Sequence, residues 1–370
     1  METNTPSHNR EQDYRQPHPT PNDSCIQTVY LALRQFFGHL NLAAPPPTPL
    51  LLAVSGGPDS LCMADAIITL HSELHIAPVI AHLNHQLRGE AARADADFVR
   101  AYAAQMQVPC IVEQVDVLEL SRTQRISIEV AAREARYRFL ASAAQTIGAQ
   151  YITVAHNADD QVETVLLRLL RGTGINGLRG MRPVHPLETL AESSVELALL
   201  RPLLSVNRTE IECYCRLKGL TPRYDATNSE LHHTRNRIRH ELLPLLEQYN
   251  PGVRKVLVRL AETASTDMET IEFATRQAFQ DLLIAVSPDQ PLTLDRVAWR
   301  TLPVGLQRAT LREAVRRVKL NLVDLKFAGV EETRDILNGD ARTAEIAILN
   351  DIRIVVKVQS FMMVRLTSYN

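Results

Sequence analysis

Leu50-Leu51-Leu52-Ala53-Val54-Ser55-Gly56-Gly57-Pro58-Asp59-Ser60-Leu61-Cys62-Met63-Ala64-Asp65-Ala66-Ile67-Ile68 is the stretch on which the fold turns. Its first five residues are uninterrupted apolar sequence, which predicts a buried parallel strand, and residues 61 to 68 predict a helix. The turn between them holds two adjacent glycines and two serines. Strand, glycine turn and helix in that order form an anion-binding corner. Glycine lets the backbone approach closely, the hydroxyls donate, and the helix N-terminus presents unpaired N–H groups with a favourable dipole. No Lys occurs before Lys218, which argues against the P-loop arrangement, where a Lys reaches the terminal phosphates. Taken alone, a Gly-Gly pair is more often an ordinary strand-to-helix turn.

Outward from this stretch, short apolar strands alternate with helices. Residues 76–83, 110–115 and 151–155 predict further strands, and residues 90–106, 127–147 and 159–170 predict helices. The alternation implies an α/β fold, a parallel sheet with helices on both faces, with ligands at the carboxyl ends of the strands. The polar strings fall at those ends: SGGPDS, then His82-Leu83-Asn84-His85-Gln86-Leu87-Arg88, then Ala155-His156. Residues 1–24 are polar and Pro-rich and predict a disordered extension, with an amphipathic helix following over about 26–40. The catalytic domain is placed at 25–248, a helical linker arm at 249–287, and a small α+β domain at 288–370, ending in a β-hairpin over 344–366.

Hydrophobic content of 45% and charged content of 22% describe a globular chain, and a net charge of −2 does not announce a nucleic-acid binder. Residues 296–326 are nevertheless basic, with eight Lys or Arg against two acids. Arg308, Arg312 and Arg316 form an i, i+4, i+8 row, for which a solvated face is the default, and the lack of matching acids tilts the reading towards an RNA-phosphate track. Five cysteines form no CxxC pair; Cys213 and Cys215 read as structural more readily than as metal ligands. Without a recognisable signal or spanning segment, a reducing cytoplasm is expected, with no membrane partner.

The chemistry-bearing residues outside the glycine turn are His156, Asp159, Asp160 and Glu163. Asp160 and Glu163 share a helix face, and acids there either cap the helix or hold Mg²⁺ through waters and phosphates. Arg133 sits in an Arg-rich helix beside Tyr137 as a candidate phosphate or transition-state contact. Asp225-Ala226-Thr227-Asn228-Ser229 reads as a polar loop leading into a basic helix start that contains Arg235, Arg237 and Arg239.

SGGPDS resembles the PP-loop of the N-type ATP pyrophosphatases. Its continuation into HLNHQLRGE, EVAAREARYRFL, TVAHNADDQVETVLLRLLRGTGINGLRGM, RPLL with Arg208-Thr209-Glu210-Ile211, DATNSE and RNRIRHELLPLL resembles the tRNA(Ile)-lysidine synthetase family over residues 50 to about 250. The resemblance implies an adenine nucleotide alpha hydrolase-like fold and an ATP-dependent carbon-nitrogen ligase. In that family the carbonyl oxygen on carbon 2 of the wobble cytidine is adenylated, and free lysine then displaces AMP. The implied partners are ATP, Mg²⁺, lysine and the isoleucine tRNA with a CAU anticodon, and a homodimer is one assembly left open. It makes Ser55, Gly56, Gly57, Pro58, Asp59 and Ser60 the ATP loop and Asp59 and Asp160 the metal carboxylates. Asp160, Glu163, Arg133 and Arg235 become the catalytic set, and residues 288–370 the small tRNA-binding domain. Asn157 stands where the family usually has a second histidine. The rival expectations are another PP-loop enzyme, such as a tRNA 2-thiocytidine synthetase, for which an iron-sulfur route calls for a CxxC pair, and a non-catalytic RNA-binding protein on the same scaffold.

Overall fold

A computed structural model describes residues 21–40, 42, 46–187, 197–223, 234–285, 291–318, 325–349 and 351–365. Residues 1–20 of the expected extension and the Asp225–Ser229 loop lie outside the described residues. Helix α1 (Pro21–His39) begins five residues before the sequence pattern suggested and leads to strand β1 (Thr48–Ala53). The chain then alternates through α2 (Pro58–Leu70), β2 (Ile76–Asn84), α3 (Glu90–Gln105), β3 (Cys110–Gln114), α4 (Val117–Gln124), α5 (Ile128–Thr146), β4 (Tyr151–Thr153) and α6 (Ala158–Leu170). A short helix α7 (Ile175–Leu178), strands β5 (Val184–Pro186) and β6 (Ala198–Leu200), and helix α8 (Arg208–Leu217) follow.

The sheet order is β3-β2-β1-β4-β6-β5, so connections leave β1 in opposite directions and create a switch point at its carboxyl end. The β1–β2, β1–β4, β2–β3 and β4–β6 pairs are parallel, while β5 pairs antiparallel at the edge. Leu50, Leu51 and Leu52 of β1 are wholly buried, as a strand covered on both faces requires. On one face Leu50 and Leu52 meet Met63 and Ile67 of α2 together with Val29 and Leu33 of α1. On the other, Leu51 joins Phe139, Leu140 and Ala144 of α5.

Of the two cysteines read as structural, Cys213 is tied covalently to another helix. Cys25 of α1 and Cys213 of α8 form a disulfide across 188 residues, while Cys62, Cys110 and Cys215 remain free.

Beyond α8 come α9 (Thr234–Arg237), a π-helical turn over Ile238–Leu242, α10 (Leu243–Tyr249) and the 30-residue α11 (Val253–Leu282). The chain divides into two compact units, Met1–Ala261 and Glu262–Asn370, with the boundary inside α11. The second unit contains β7 (Leu283–Ala285), β8 (Leu292–Asp295), α12 (Arg296–Thr301), α13 (Val304–Val318), α14 (Phe327–Asn338), β9 (Ala344–Leu349), β10 (Ile352–Val356) and β11 (Ser360–Arg365). The expected terminal hairpin is part of a five-stranded antiparallel sheet, β7-β8-β11-β10-β9, that packs on Trp299, Leu311 and Val330. β7 and β8 are too short to show a period in the sequence. In the α13 arginine row Arg308 and Arg316 are paired with acids, and Arg312 donates to Leu325 O at 3.3 Å. Arg308 Nε donates to Glu331 Oε1 at 2.7 Å, and Arg316 and Arg317 both donate to Glu313 at 2.9 Å.

Candidate active site

The glycine turn closes on itself. Val54 N donates to Ala81 O, and His82 Nδ1 lies 2.8 Å from Val54 O, so the end of β1 is fixed to β2. Gly56 has φ +93°, and a Cβ there would stand 3.5 Å from the Phe98 ring, so a side chain would strain the backbone even where room remains. Ser60, 5% exposed, accepts from Ser55 N and Gly56 N at 3.2 Å and donates to Gly57 O at 3.0 Å. Its hydroxyl therefore shapes the loop from inside. Pro58 starts α2, and among the described residues no side chain caps that helix, so its first-turn N–H groups can serve an anion.

Asn157 joins this loop to the acidic helix. It is wholly buried and is the N-cap of α6; its Oδ1 accepts from Asp160 N at 3.0 Å and its own N donates to Asp160 Oδ2 at 3.1 Å. The same side chain donates from Nδ2 to Asp59 Oδ1 at 2.8 Å. The capping reading of Asp160, set against a metal role in the sequence, thus holds geometrically without excluding the other. Burial raises the Asp59 carboxyl, opposed by Arg208 and Asn157. The three acids of the α6 string have separate surroundings. Asp159 accepts from Arg208 N at 2.8 Å and from Arg254 Nη1 at 2.5 Å. Glu163, 1% exposed, accepts from Arg239 Nε at 2.6 Å, with Arg235 Nε 3.5 Å from its other oxygen. Burial raises the Glu163 carboxyl against the pull of Arg239. Asp160 keeps the most open charge contact, 3.8 Å from Arg239 Nη2.

Arg239 reaches two of these acids from the π-helical turn. Leu243 N bonds back five residues to Ile238 O, and Pro244 follows directly. Proline has no N–H and its ring crowds the carbonyl four residues earlier, so the widened turn accommodates Pro244 and re-aims Arg239. Arg235, on α9, also donates from Nη2 to Thr164 Oγ1 at 3.0 Å.

A second cationic group comes from α5. Arg133 stacks over Tyr137 at 4.9 Å, and Arg136 lies beside it. Arg136 keeps solvent contact, yet the surrounding protein strips enough water to lower its pKa, with Arg133 adding to the effect. Its charge is felt by His85 and His156, each pushed down to about 4, chiefly by burial. His156 is a neutral acceptor, since Arg201 Nε donates to its Nδ1 at 3.2 Å. The sequence reading chose Arg133 and passed over Arg136, Arg208 and Arg239, although Arg136 lies in the same ARxxRY string. Asp59 of the loop and Asp160 meet at Asn157, and Glu163 and Arg235 adjoin them at Arg239, whereas Arg133 stacks on Tyr137 and it is Arg136 whose charge is felt at His156.

Asp59 and Asp160 suit Mg²⁺, which takes one or two carboxylates together with waters and phosphates. Both supply hard oxygens, with side chains 24% and 19% exposed, and Asn157 holds them at one corner.

The PP-loop domain family matches residues 29–246. The tRNA(Ile)-lysidine synthase of Dehalococcoides mccartyi is 38% identical over 282 residues, covering 76% of this chain and 59% of that protein. The synthases of Clostridium perfringens and Geobacter sulfurreducens are 40% and 37% identical, over 64% and 77% of this chain and 48% and 58% of theirs. This chain therefore spans roughly half to three-fifths of the length of the curated relatives it matches. Among solved structures, the U34-tRNA thiolase NcsA of Methanococcus maripaludis superposes with a TM-score of 0.53 at 17% identity, over 65% of this chain and 79% of its own. At that identity the likeness concerns the fold.

Proposed function

This chain belongs to the PP-loop domain family, and from that premise we propose that it is an ATP-dependent ligase that joins lysine to carbon 2 of the wobble cytidine in the isoleucine tRNA with a CAU anticodon. The observation that carries the reading is the Asn157 junction, which sets the loop carboxylate Asp59 beside Asp160 under a bank of arginines. A protein that only bound RNA would have no need of a buried acidic corner at an anion-binding loop. The lysidine synthase relatives favour lysine ligation over thiolation.

In this reading the triphosphate lies on the Ser55–Ser60 loop and the α2 N-terminus. Asp59 and Asp160 would hold Mg²⁺, which would supply charge neutralisation at the phosphates. The cytosine carbonyl oxygen attacks the α-phosphorus, an O–P bond forms, and pyrophosphate leaves. Arg133 and Arg136 offer guanidinium donors to the charge that develops on the phosphoryl oxygens. The lysine amine then attacks carbon 2, the C–O bond breaks with AMP departing, and the amine must shed a proton. Asp160 is the acid-base candidate, having an oxygen outside the capping pair. Glu163 acts by holding Arg239 and Arg235 in place. The target base must be splayed from the anticodon loop to reach the site.

The test is incubation of the full chain with ATP, Mg²⁺, labelled lysine and the CAU-anticodon isoleucine tRNA, following label in RNA together with AMP. Label in that tRNA, dependent on ATP, is expected. AMP release without label would point to another nucleophile, and neither product would leave RNA binding as the function.

A further inference from the structure

The loop that would take the triphosphate contains no cation of its own, since residues 55–60 include neither Lys nor Arg. One guanidinium reaches its carboxylate from elsewhere: Arg208 Nη2 stands 3.6 Å from Asp59 Oδ2. That is a charge contact, longer than a hydrogen bond. Among the described residues the buried Arg208 Nε has no hydrogen-bond partner, a costly state for a donor that a ligand oxygen would relieve. Neighbouring guanidiniums are committed to protein acceptors. Arg239 is on Glu163, Arg235 on Thr164, and Arg201 on Arg182 O and His156.

Arg208 is also held ready. It is the first residue of α8, where a cation opposes the helix dipole, so local preference does not explain it. The helix is instead capped by the reciprocal Asn207–Glu210 bonds, which leave the Arg208 side chain out of the cap. Its backbone N donates to Asp159 Oδ2, and Asp159 is gripped by Arg254. The Cα position is thus fixed by main-chain bonds while the guanidinium keeps open donors at the mouth of the loop.

We propose that Arg208 binds the β- and γ-phosphates of ATP, and then the departing pyrophosphate, doing from α8 what a lysine does within a P-loop. The proposal rests on the ATP-dependent reading above. It assigns Arg208 to the leaving group, a role separate from the one the reading above gives Arg133 and Arg136. Arg208 would turn from Asp59 to the incoming phosphates, its planar fork matching two oxygens at once.

Calorimetric titration of the full chain and of Arg208→Ala, Arg208→Lys and Arg208→Gln with ATP, inorganic pyrophosphate and AMP tests it. Arg208→Ala should lose about 10- to 100-fold in affinity for ATP and pyrophosphate and less than about twofold for AMP, the range expected for one or two charge-assisted hydrogen bonds. Arg208→Lys should recover part of the loss, because it restores the charge without the fork. Equal loss for AMP and pyrophosphate, or no loss at all in a protein that binds ATP, would overturn the assignment while leaving the ATP reading intact. A parent chain that binds none of the three would remove both. Because the Asp159 and cap bonds are made by main chain and other side chains, melting temperatures of the variants should stay near the parent's. If Arg208→Ala does not fold, Arg208→Gln and Arg208→Lys give the same comparison.

Discussion

Glu163 and the histidines are governed by burial, each in its own direction. Glu163 is 1% exposed and Arg239 is partly buried against it, so truncating the acid leaves a guanidinium uncompensated. Glu163→Ala should therefore cost about 3 kcal/mol of stability, near the lower end for breaking a buried pair, and Glu163→Gln less, measured by urea unfolding. His85 and His156 are each held down to about 4, mainly by burial, against an ordinary value of 6.5. Their folded pKa lies below the unfolded one, so between about pH 6.5 and 4 the unfolded chain binds protons that the folded chain refuses. Stability is then fully present above pH 6.5 and falls as pH drops through this window, by on the order of 2 kcal/mol per histidine. Unfolding midpoints of the parent and His85→Gln across that range check the sign. The parent's midpoint should fall more steeply than the variant's.

At the scale of elements, the start of α6 carries both structure and site. Asn157→Ala removes the cap of α6 and the amide on Asp59 together, and should cost about 2 kcal/mol, with part of the loss coming from the cap alone. Asn157→Asp keeps the cap acceptor but sets a carboxylate against Asp59. Equilibrium unfolding should show Asn157→Asp losing less stability than Asn157→Ala, while ATP affinity falls more, and the reverse order would mean that Asn157 serves the helix alone. How far this element was readable follows from its chemistry. The helix, its apolar face and the acids were legible because they repeat at helical spacing, and the Leu50–Ile68 run gave strand, turn and helix in their true order. Asn157 read as a departure from a family pattern, since nothing local reveals that a cap residue bonds a carboxylate 98 positions away. Arg239 was similarly hidden, because its aim depends on a π-helical turn forced by Pro244. The strands β5 and β6, three residues each, were too short for periodicity to register.

Across the whole molecule, long-range charge and covalent links decide what the surface and the core can do. The α13 arginines looked unmatched in sequence because Glu331 lies 23 residues from Arg308, yet in the second unit that acid is held down to about 2, first by its hydrogen bond from Arg308. A guanidinium already paired gains less from a phosphate. Arg308→Ala should thus change tRNA affinity by less than about twofold and leave the salt slope unaltered, whereas a true phosphate contact would reduce that slope by about one. Filter binding at several salt concentrations separates the two. The Cys25–Cys213 disulfide, by contrast, was invisible in the spacing of the cysteines, because it depends on α1 packing against α8. It closes a loop of 188 residues that contains β1 to β6, and restricting so long a loop in the unfolded chain stabilises the fold by up to about 5 kcal/mol in the entropic account. Urea unfolding with and without a reductant should show a lower midpoint for the reduced protein. Cys25→Ser should unfold at that lower midpoint under both conditions. If the reductant instead shifts Cys25→Ser as far as the parent, the stabilising bond is not this one, and α1 is held on α8 by its apolar face alone.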